Sequence, residues 1–224
     1  MNILDIAPGP GLDSQQLLMT MDIYTESILR TLYEHGQPAQ VDEVSPLDVA
    51  VTLADVQVNP GLLPANLLYY ARRGRHESVA LYLPPETRLL RLHTGEVFTV
   101  PCPPLVFAGI QTTYRLAALA EAGWPAAAAK LFHAPFTNVY TSCRVCHGSV
   151  SFPEAGLMTI HQAARLFFES EFNLDLGNNK SMLHRANVTT MWRTLAEDNR
   201  PEYPTGDLIS MDTTLEAWLN ETFR

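Results

Sequence analysis

The chain has 224 residues, of which 46% are apolar and 17% charged, and its 24 acidic and 15 basic side chains give a net charge of −9. This apolar content argues against disorder or a coiled coil, and the acidic balance argues against a nucleic-acid-binding protein, which needs a basic patch. The longest uncharged stretch, residues 97–114, contains three prolines and predicts no membrane span. Because the first apolar residues follow no basic region and the cysteines number only three, we expect a soluble, cytoplasmic protein.

The first 60 residues predict an amino-terminal extension with one helix. The helix is expected to start at Asp22, an acidic cap, and to end at His35-Gly36, a pair typical of a helix carboxyl end. Its apolar residues recur at helical spacing and are Ile23, Ile28, Leu29, Leu32 and Tyr33. We expect this extension to pack on the core of a domain formed by residues 61–224.

Three short apolar runs predict an antiparallel β-meander. They cover residues 79–83, 89–92 and 97–100, with turn signals rich in Pro, Thr and Gly between them. The prolines at 101–104 are expected to end the third strand, because proline cannot donate to a strand ladder. Beyond them, residues 114–121 predict another strand or a short helix, and residues 131–147 are expected to be irregular.

Three helical patterns follow the strands. The clearest opens after Thr159, a candidate amino cap, and two more cover residues 188–197 and 213–223. One apolar face of the first helix is formed by Ile160, Ala163, Ala164, Phe167, Phe168 and Phe172. Strands first and helices last predict an α+β fold, with an antiparallel sheet covered by helices.

Two of the three cysteines lie close together and are followed by a histidine. The run from Cys143 through Cys146 to His147 has the spacing of a covalent haem attachment site, but such haem is installed outside the cytosol and the chain shows no export signal. A zinc site needs four ligands, and this run supplies at most three. We therefore expect no metal and no organic cofactor. A thiol redox pair stays open, although thioredoxin-like motifs belong to a βαβ unit.

The same segment also matches a different active-site pattern. Asn138, Val139, Tyr140, Val145 and Cys146 fit, in type and spacing, the run His-Pro-Asn-Val/Ile-Tyr-x-x-Gly-x-Val/Ile-Cys. In this respect the chain resembles ubiquitin-conjugating enzymes.

The bacterial branch of that superfamily is more similar still. The resemblance extends over roughly residues 62–195 and is carried by the runs at 63–64, 103–107, 134–140 and 167–172. This branch includes the PRTRC system protein B family and is found in operons with a ubiquitin-like activating enzyme and a JAB-type metalloprotease.

The resemblance implies a fold, an activity and partners. It implies a ubiquitin-conjugating (UBC-like) fold for residues 61–224 and a cysteine-dependent acyltransferase. Cys146 would accept a small ubiquitin-like protein from an activating enzyme as a thioester and pass it to an amine of a target protein. The expected setting is a bacterial conjugation operon, with antiphage defence as one role, and neither nucleic acid nor a membrane is an expected partner.

The chemistry of acyl transfer suggests roles for Cys146 and Asn138. A thiolate is good both as an attacking and as a leaving group, which suits Cys146 as the nucleophile. Asn138 has two candidate roles, as an amide donor to the oxyanion, worth about 3 kcal/mol, or as a brace of the loop. Cys143 occupies the usual glycine position and is interpreted as a bystander or as the partner of Cys146 in a regulatory disulfide.

The sequence departs from the eukaryotic pattern just before Asn138. Phe136 and Thr137 replace the His-Pro pair, and the Phe136 ring is a candidate for the bracing role of the lost histidine. The bacterial branch has a histidine after the cysteine, and His147, His161 and His184 are the candidates. Tyr140 and Val145 are expected at core or strand positions.

Two hypotheses from other classes stay open. One is a non-catalytic module of the same fold that binds the ubiquitin-like protein without carrying it, and the cysteine in register with Asn138 argues against it. The other is a thiol redox protein that uses Cys143 and Cys146.

Overall fold

The computed structural model describes residues 18–25, 27–47, 49, 62–73 and 76–224. The chain divides into two compact units, Met1–Gly61 and Leu62–Arg224. In the described parts no helix is long and apolar enough to cross a membrane.

The first unit contains a three-stranded antiparallel sheet in the order β1-β2-β3. Its strands are β1 (Met19–Ile23), β2 (Ile28–Glu34) and β3 (Gln37–Val44). The helix predicted from Asp22 is therefore wrong. His35 and Gly36 have φ angles of 52° and 77° and form a two-residue hairpin turn between β2 and β3, not a helix end. Hydrogen bonding on both edges of β2 outweighs the weak helical periodicity.

In its described residues, the second unit contains nine strands, three α-helices and one short 3-10 helix. The strands are β4 (Leu67–Arg73), β5 (His76–Leu83), β6 (Glu86–Leu92), β7 (Val97–Cys102), β8 (Leu105–Ile110), β9 (Thr113–Ala118), β10 (Lys130–His133), β11 (Glu171–Phe172) and β12 (Ser210–Thr214). The α-helices are α1 (Ile160–Glu169), α2 (Val188–Glu197) and α3 (Leu215–Thr222), and Thr205–Asp207 form the 3-10 helix.

The three strands of the predicted meander exist, but one of the predicted pairings is wrong. β5 pairs with β4 and β8 in a six-stranded sheet of order β12-β10-β9-β8-β5-β4, whereas β6 and β7 form a separate hairpin. Pro84 and Pro85 separate β5 from β6, and neither can donate to a ladder. β11 joins the hairpin in parallel, next to β6. Sheets that are mostly antiparallel, together with helices, confirm the α+β class.

Two local predictions need correction. β10 forms within the segment expected to be irregular, and it pairs with β9 and β12. Phe172 was assigned to the apolar face of α1 but lies on β11, because the helix ends at Glu169 and Ser170 is extended. The ambiguous segment after residue 113 is a strand, and the three predicted helices are present.

The six-stranded sheet is buried on both faces. Alternate residues of β5 and β8 belong to two different hydrophobic clusters, so that Leu81 and Phe107 lie in one and Ala80 and Val106 in the other. The first cluster includes apolar residues of α1, α2 and the β6–β7 hairpin, and the second includes those of α3. Burial on both faces explains why these strands are continuous apolar runs in the sequence.

Candidate functional site

The segment from Asn138 to Cys146 is a tight hairpin. The Cys146 amide donates to the Asn138 carbonyl at 2.8 Å, and the Tyr140 amide donates to the Arg144 carbonyl at 2.9 Å. Cys143 closes the turn with a φ angle of 65°, in the left-handed region that favours glycine. This backbone explains why the corresponding position is usually glycine in the pattern that the segment resembles.

This hairpin is bonded to the edge of β9. The Leu116 amide donates to the Cys143 carbonyl, and the Val145 amide donates to the Tyr114 carbonyl, each at 2.8 Å. Val139 and Val145 face each other in an antiparallel bridge, and both are buried, as predicted for Val145. The sheet therefore fixes the position of Cys146, although its segment is not itself a regular strand.

Aromatic packing anchors the chain just before Asn138. The Phe136 ring is buried with its centroid 5.6–6.2 Å from those of four other rings, which belong to Phe167, Phe168, Phe172 and Trp192. The Trp192 indole nitrogen donates to the Pro135 carbonyl at 2.9 Å. These contacts place Phe136 where it can brace the segment that leads to Asn138 from the core side.

The Asn138 side chain connects the hairpin to β11. Its amide nitrogen donates to the Glu171 carbonyl at 3.0 Å, and its oxygen accepts from the Asn173 amide at 3.2 Å. These bonds fit the bracing role. The amide nitrogen carries a second hydrogen, so the geometry also leaves room for a bond to a reacting oxygen.

Cys146 lies in an open cleft of about 390 Å³. The residues that line the cleft are His93, Asn138, Cys146, His147, Gly148, Ser149, Val150, Ser170, Glu171 and Asn173. All three cysteines are free thiols, but Cys102 and Cys143 are buried and only Cys146 is partly accessible. A large protein substrate can therefore approach Cys146 and not the other two.

Tyr140 does not occupy the core position that the sequence predicted. Its side chain is 38% exposed, and its hydroxyl donates to the Cys146 sulfur at 3.7 Å. The hydrogen bond to this sulfur, reinforced by the charge of the thiolate, raises the pKa of the Tyr140 hydroxyl. Exposure follows from the turn, which directs this residue away from the sheet.

Cys143 faces away from the cleft, although it is only three residues from Cys146. Its sulfur lies 3.4 Å from the Met211 sulfur in the cluster that α3 covers. Burial raises the pKa of the Cys143 thiol to about 11, so the thiol stays protonated at neutral pH.

The structure separates the three candidate histidines. His147 lines the cleft and packs against Phe152, with ring centroids 4.5 Å apart. Burial first, and then the charge of Arg144, lower the pKa of the His147 ring, which favours its neutral form. His161 is exposed on α1 and lines a different cleft of about 430 Å³, and His184 lies in the loop before α2. Neither His161 nor His184 lines the cleft that contains Cys146.

Two residues near the site were not predicted from the sequence. His93 follows β6 and reaches the cleft because its amide donates to the Phe172 carbonyl beside the parallel β6–β11 pair. No sequence signal reports such a pairing. Lys180 is 1% exposed, and its ammonium donates to the Tyr140 carbonyl at 3.3 Å. Its neighbours Asn178 and Asn179 suggest an ordinary polar loop.

In the described part of the chain, no three or more His, Cys, Asp and Glu side chains form a group that could hold a metal ion. Cys143, one of the possible zinc ligands in the sequence, lies in the core instead.

Comparison with known proteins gives one match. The model of the family described as prokaryotic E2 family D matches residues 47–211, which is more than half of the chain. No curated protein and no solved structure matches significantly.

Proposed function

Because the chain belongs to prokaryotic E2 family D, we propose that it is a ubiquitin-conjugating-like carrier whose nucleophile is Cys146. The observation that carries the proposal is the position of this thiol. It is the accessible cysteine of the three and lines a cleft together with Asn138, at the spacing of the ubiquitin-conjugating active-site run that this segment resembles. We further propose the UBC-like fold for the Leu62–Arg224 unit.

The first step of the proposed reaction is transthiolation. The Cys146 thiolate attacks the carbonyl carbon of the thioester that joins the ubiquitin-like protein to its activating enzyme. A new carbon–sulfur bond forms, and the activating enzyme's cysteine leaves as a thiolate. The activating enzyme consumes the ATP, so this step needs no cofactor on the carrier.

The second step transfers the acyl group to a target amine. A neutral amine attacks the thioester carbonyl, the carbon–sulfur bond breaks, and Cys146 leaves as a thiolate. Asn138 lines the same cleft as Cys146 and is the proposed donor to the oxyanion, in addition to its bracing role. His147 is the proposed acceptor of the amine's proton, because its lowered pKa favours a neutral ring. His161 and His184 have no proposed role.

The family also suggests where the protein acts. We propose that its partners are an activating enzyme, a small ubiquitin-like protein and a target protein, in the cytoplasm of a bacterium. Genes for the first two would lie in the same operon, with antiphage defence as the role of the pathway.

Non-reducing electrophoresis tests the proposal directly. The protein is incubated with the activating enzyme and ubiquitin-like protein of its operon and with ATP. We expect an adduct that a thiol reductant removes, that Cys146→Ala abolishes and that Cys143→Ala retains. Cys146→Ser should give an oxyester that survives the reductant.

The same experiment can also contradict the proposal. If the ubiquitin-like protein binds without forming any adduct, the chain is a binding module. If Cys143→Ala abolishes the adduct as completely as Cys146→Ala, the two cysteines act as a pair. The burial and protonation of Cys143 do not favour this second outcome.

A further inference from the structure

The Cys146 sulfur has a hydrogen-bond donor outside the cleft. The Tyr140 hydroxyl lies 3.7 Å from this sulfur and donates to it. A donor at this position stabilises the thiolate more than the thiol, because the charged sulfur is the stronger acceptor. The Tyr140 ring itself is partly exposed, so packing alone does not fix the direction of the hydroxyl.

A buried cation holds the backbone of the same tyrosine. The Lys180 ammonium donates to the Tyr140 carbonyl at 3.3 Å, and the Cys143 amide donates to the same carbonyl at 2.9 Å across the turn. Lys180 is 1% exposed, and burying an ammonium is costly. A hydrophobic residue would fill the same space at a lower cost, so the presence of lysine calls for a purpose other than packing.

We propose that Lys180 is a positioning residue for Cys146, acting through Tyr140: the buried ammonium fixes the Tyr140 carbonyl, and the hydroxyl at the other end of that residue donates to the Cys146 thiolate. The inference rests on the proposed function only in taking Cys146 as the nucleophile. It assigns Tyr140 and Lys180 a shared role in setting how readily this thiol reacts.

The proposed connection has a geometric basis at each end. Lys180 belongs to the segment between β11 and α2, and its side chain joins this segment to the hairpin that contains Cys146. Loss of the ammonium leaves the turn with its internal bond from Cys143, and leaves the hairpin with its Asn138–Asn173 bond, but removes the bond that holds the Tyr140 carbonyl from that segment. The Tyr140 ring then gains freedom, and its hydroxyl spends less time on the sulfur.

Alkylation of Cys146 by iodoacetamide measures the effect without any protein partner. The rate is followed by mass spectrometry of the Cys146 peptide from pH 6 to pH 10 in the wild type, Tyr140→Phe, Lys180→Met and the double variant. We expect each single variant to react about five-fold more slowly at pH 7, as the loss of one hydrogen bond allows. The difference should shrink towards pH 10, because free thiols are largely ionised there and because the Lys180 ammonium, whose pKa burial lowers to about 8, has lost its proton.

The double variant tests the connection itself. If Lys180 acts through the hydroxyl, Lys180→Met slows the wild type but not Tyr140→Phe. The charged or titratable groups that line the cleft with Cys146 are His93, His147 and Glu171. The Arg144 guanidinium lies over the Tyr140 ring, and all four groups are unchanged in the four proteins. Tyr82→Phe is the matched control, since its hydroxyl accepts from the Gly123 amide elsewhere, and it should react like the wild type.

Four results would overturn the proposal. If Tyr140→Phe is alkylated at the wild-type rate, the Tyr140 hydroxyl does not assist the Cys146 thiolate. If Lys180→Met slows Tyr140→Phe as much as it slows the wild type, Lys180 does not act through that hydroxyl. An equal loss at pH 7 and pH 10 would indicate a merely structural role. Lys180→Gln retains an uncharged donor and should react faster than Lys180→Met; equal rates in these two variants would also count against the proposal. Failure of adduct formation alongside the expected alkylation pattern would contradict the carrier function and not this inference.

Discussion

At the scale of residues, a single turn determines which of Cys143 and Cys146 is accessible to solvent. The left-handed backbone at Cys143 directs its side chain into the core, while Cys146 emerges on the cleft. A left-handed conformation costs a residue other than glycine about 1–2 kcal/mol. Burial of the sulfur against Met211 offsets part of this cost.

The buried Lys180 ammonium predicts how the free energy of unfolding changes with pH. Burial lowers the pKa of its ammonium from 10.5 to about 8, while the nearby Cys143 thiol acts in the opposite direction. Between pH 8 and pH 10.5 the unfolded chain therefore holds a proton that the folded chain has released, so this group's contribution to the free energy of unfolding rises with pH. The burial penalty, about 3 kcal/mol, is fully present below pH 8 and is relieved by pH 10.5.

Urea denaturation at pH 7 and pH 10 tests this prediction. The free energy of unfolding of the wild type minus that of Lys180→Met should increase between the two pH values. The subtraction is needed because buried acids such as Cys102 and Tyr114, whose pKa values burial raises to about 12, destabilise both proteins in alkali. His133 also faces Lys180, but burial and that charge lower its pKa, so its ring is uncharged throughout this range. A constant or shrinking difference would contradict the prediction.

Phe136 gives a prediction at the scale of elements, because its ring links the segment just before Asn138 to α1, α2 and β11. Phe136→Ala should reduce the free energy of unfolding by about 3–5 kcal/mol, as expected for a buried ring that leaves a cavity. Urea denaturation measures the loss. The matched control is Phe223→Ala, since this ring stacks on Tyr69 at 4.7 Å but is only partly buried, and its loss should be smaller. Equal losses would mean that the aromatic cluster has no special bracing role.

The elements that the sequence predicted correctly are those whose burial follows a simple period. α1 has a broad apolar face, and the buried strands are continuous apolar runs. The helix predicted from Asp22 was wrong because His35-Gly36 is compatible with both a helix end and a hairpin turn. The β5–β6 pairing was wrong because strand partners depend on contacts between distant segments, which periodicity does not report.

The candidate site was predictable only where it is local in sequence. The spacing from Asn138 to Cys146 lies within one hairpin, and it led to both residues. His93 and Lys180 reach the same region from distant parts of the chain, through a parallel strand pair and a buried ion. Tyr140 was assigned to the core because its exposure depends on the tertiary turn.

At the scale of the whole molecule, the two hydrophobic clusters predict that the second unit folds alone. Among the residues that the structure describes, all members of both clusters lie within Leu62–Arg224. A chain that starts at Leu62 should therefore unfold cooperatively on heating, and its Cys146 should react with iodoacetamide at the rate of the full chain. Circular dichroism and the alkylation assay measure the two properties, with Cys146→Ala in the same shortened chain as the control for alkylation at other thiols. A shortened chain without a cooperative transition would contradict this prediction.

The two-residue strand β11 has a consequence for the order of assembly. It carries the carbonyl that holds Asn138 and the carbonyl that holds the backbone of His93, and both bonds join segments far apart in sequence. Each bond requires the chain to close a loop between segments far apart in sequence, and such closure is entropically costly. The hairpin that contains Cys146 can thus be complete before the cleft beside it exists. Local opening of β11 in the native protein would dismantle the cleft as one cooperative unit.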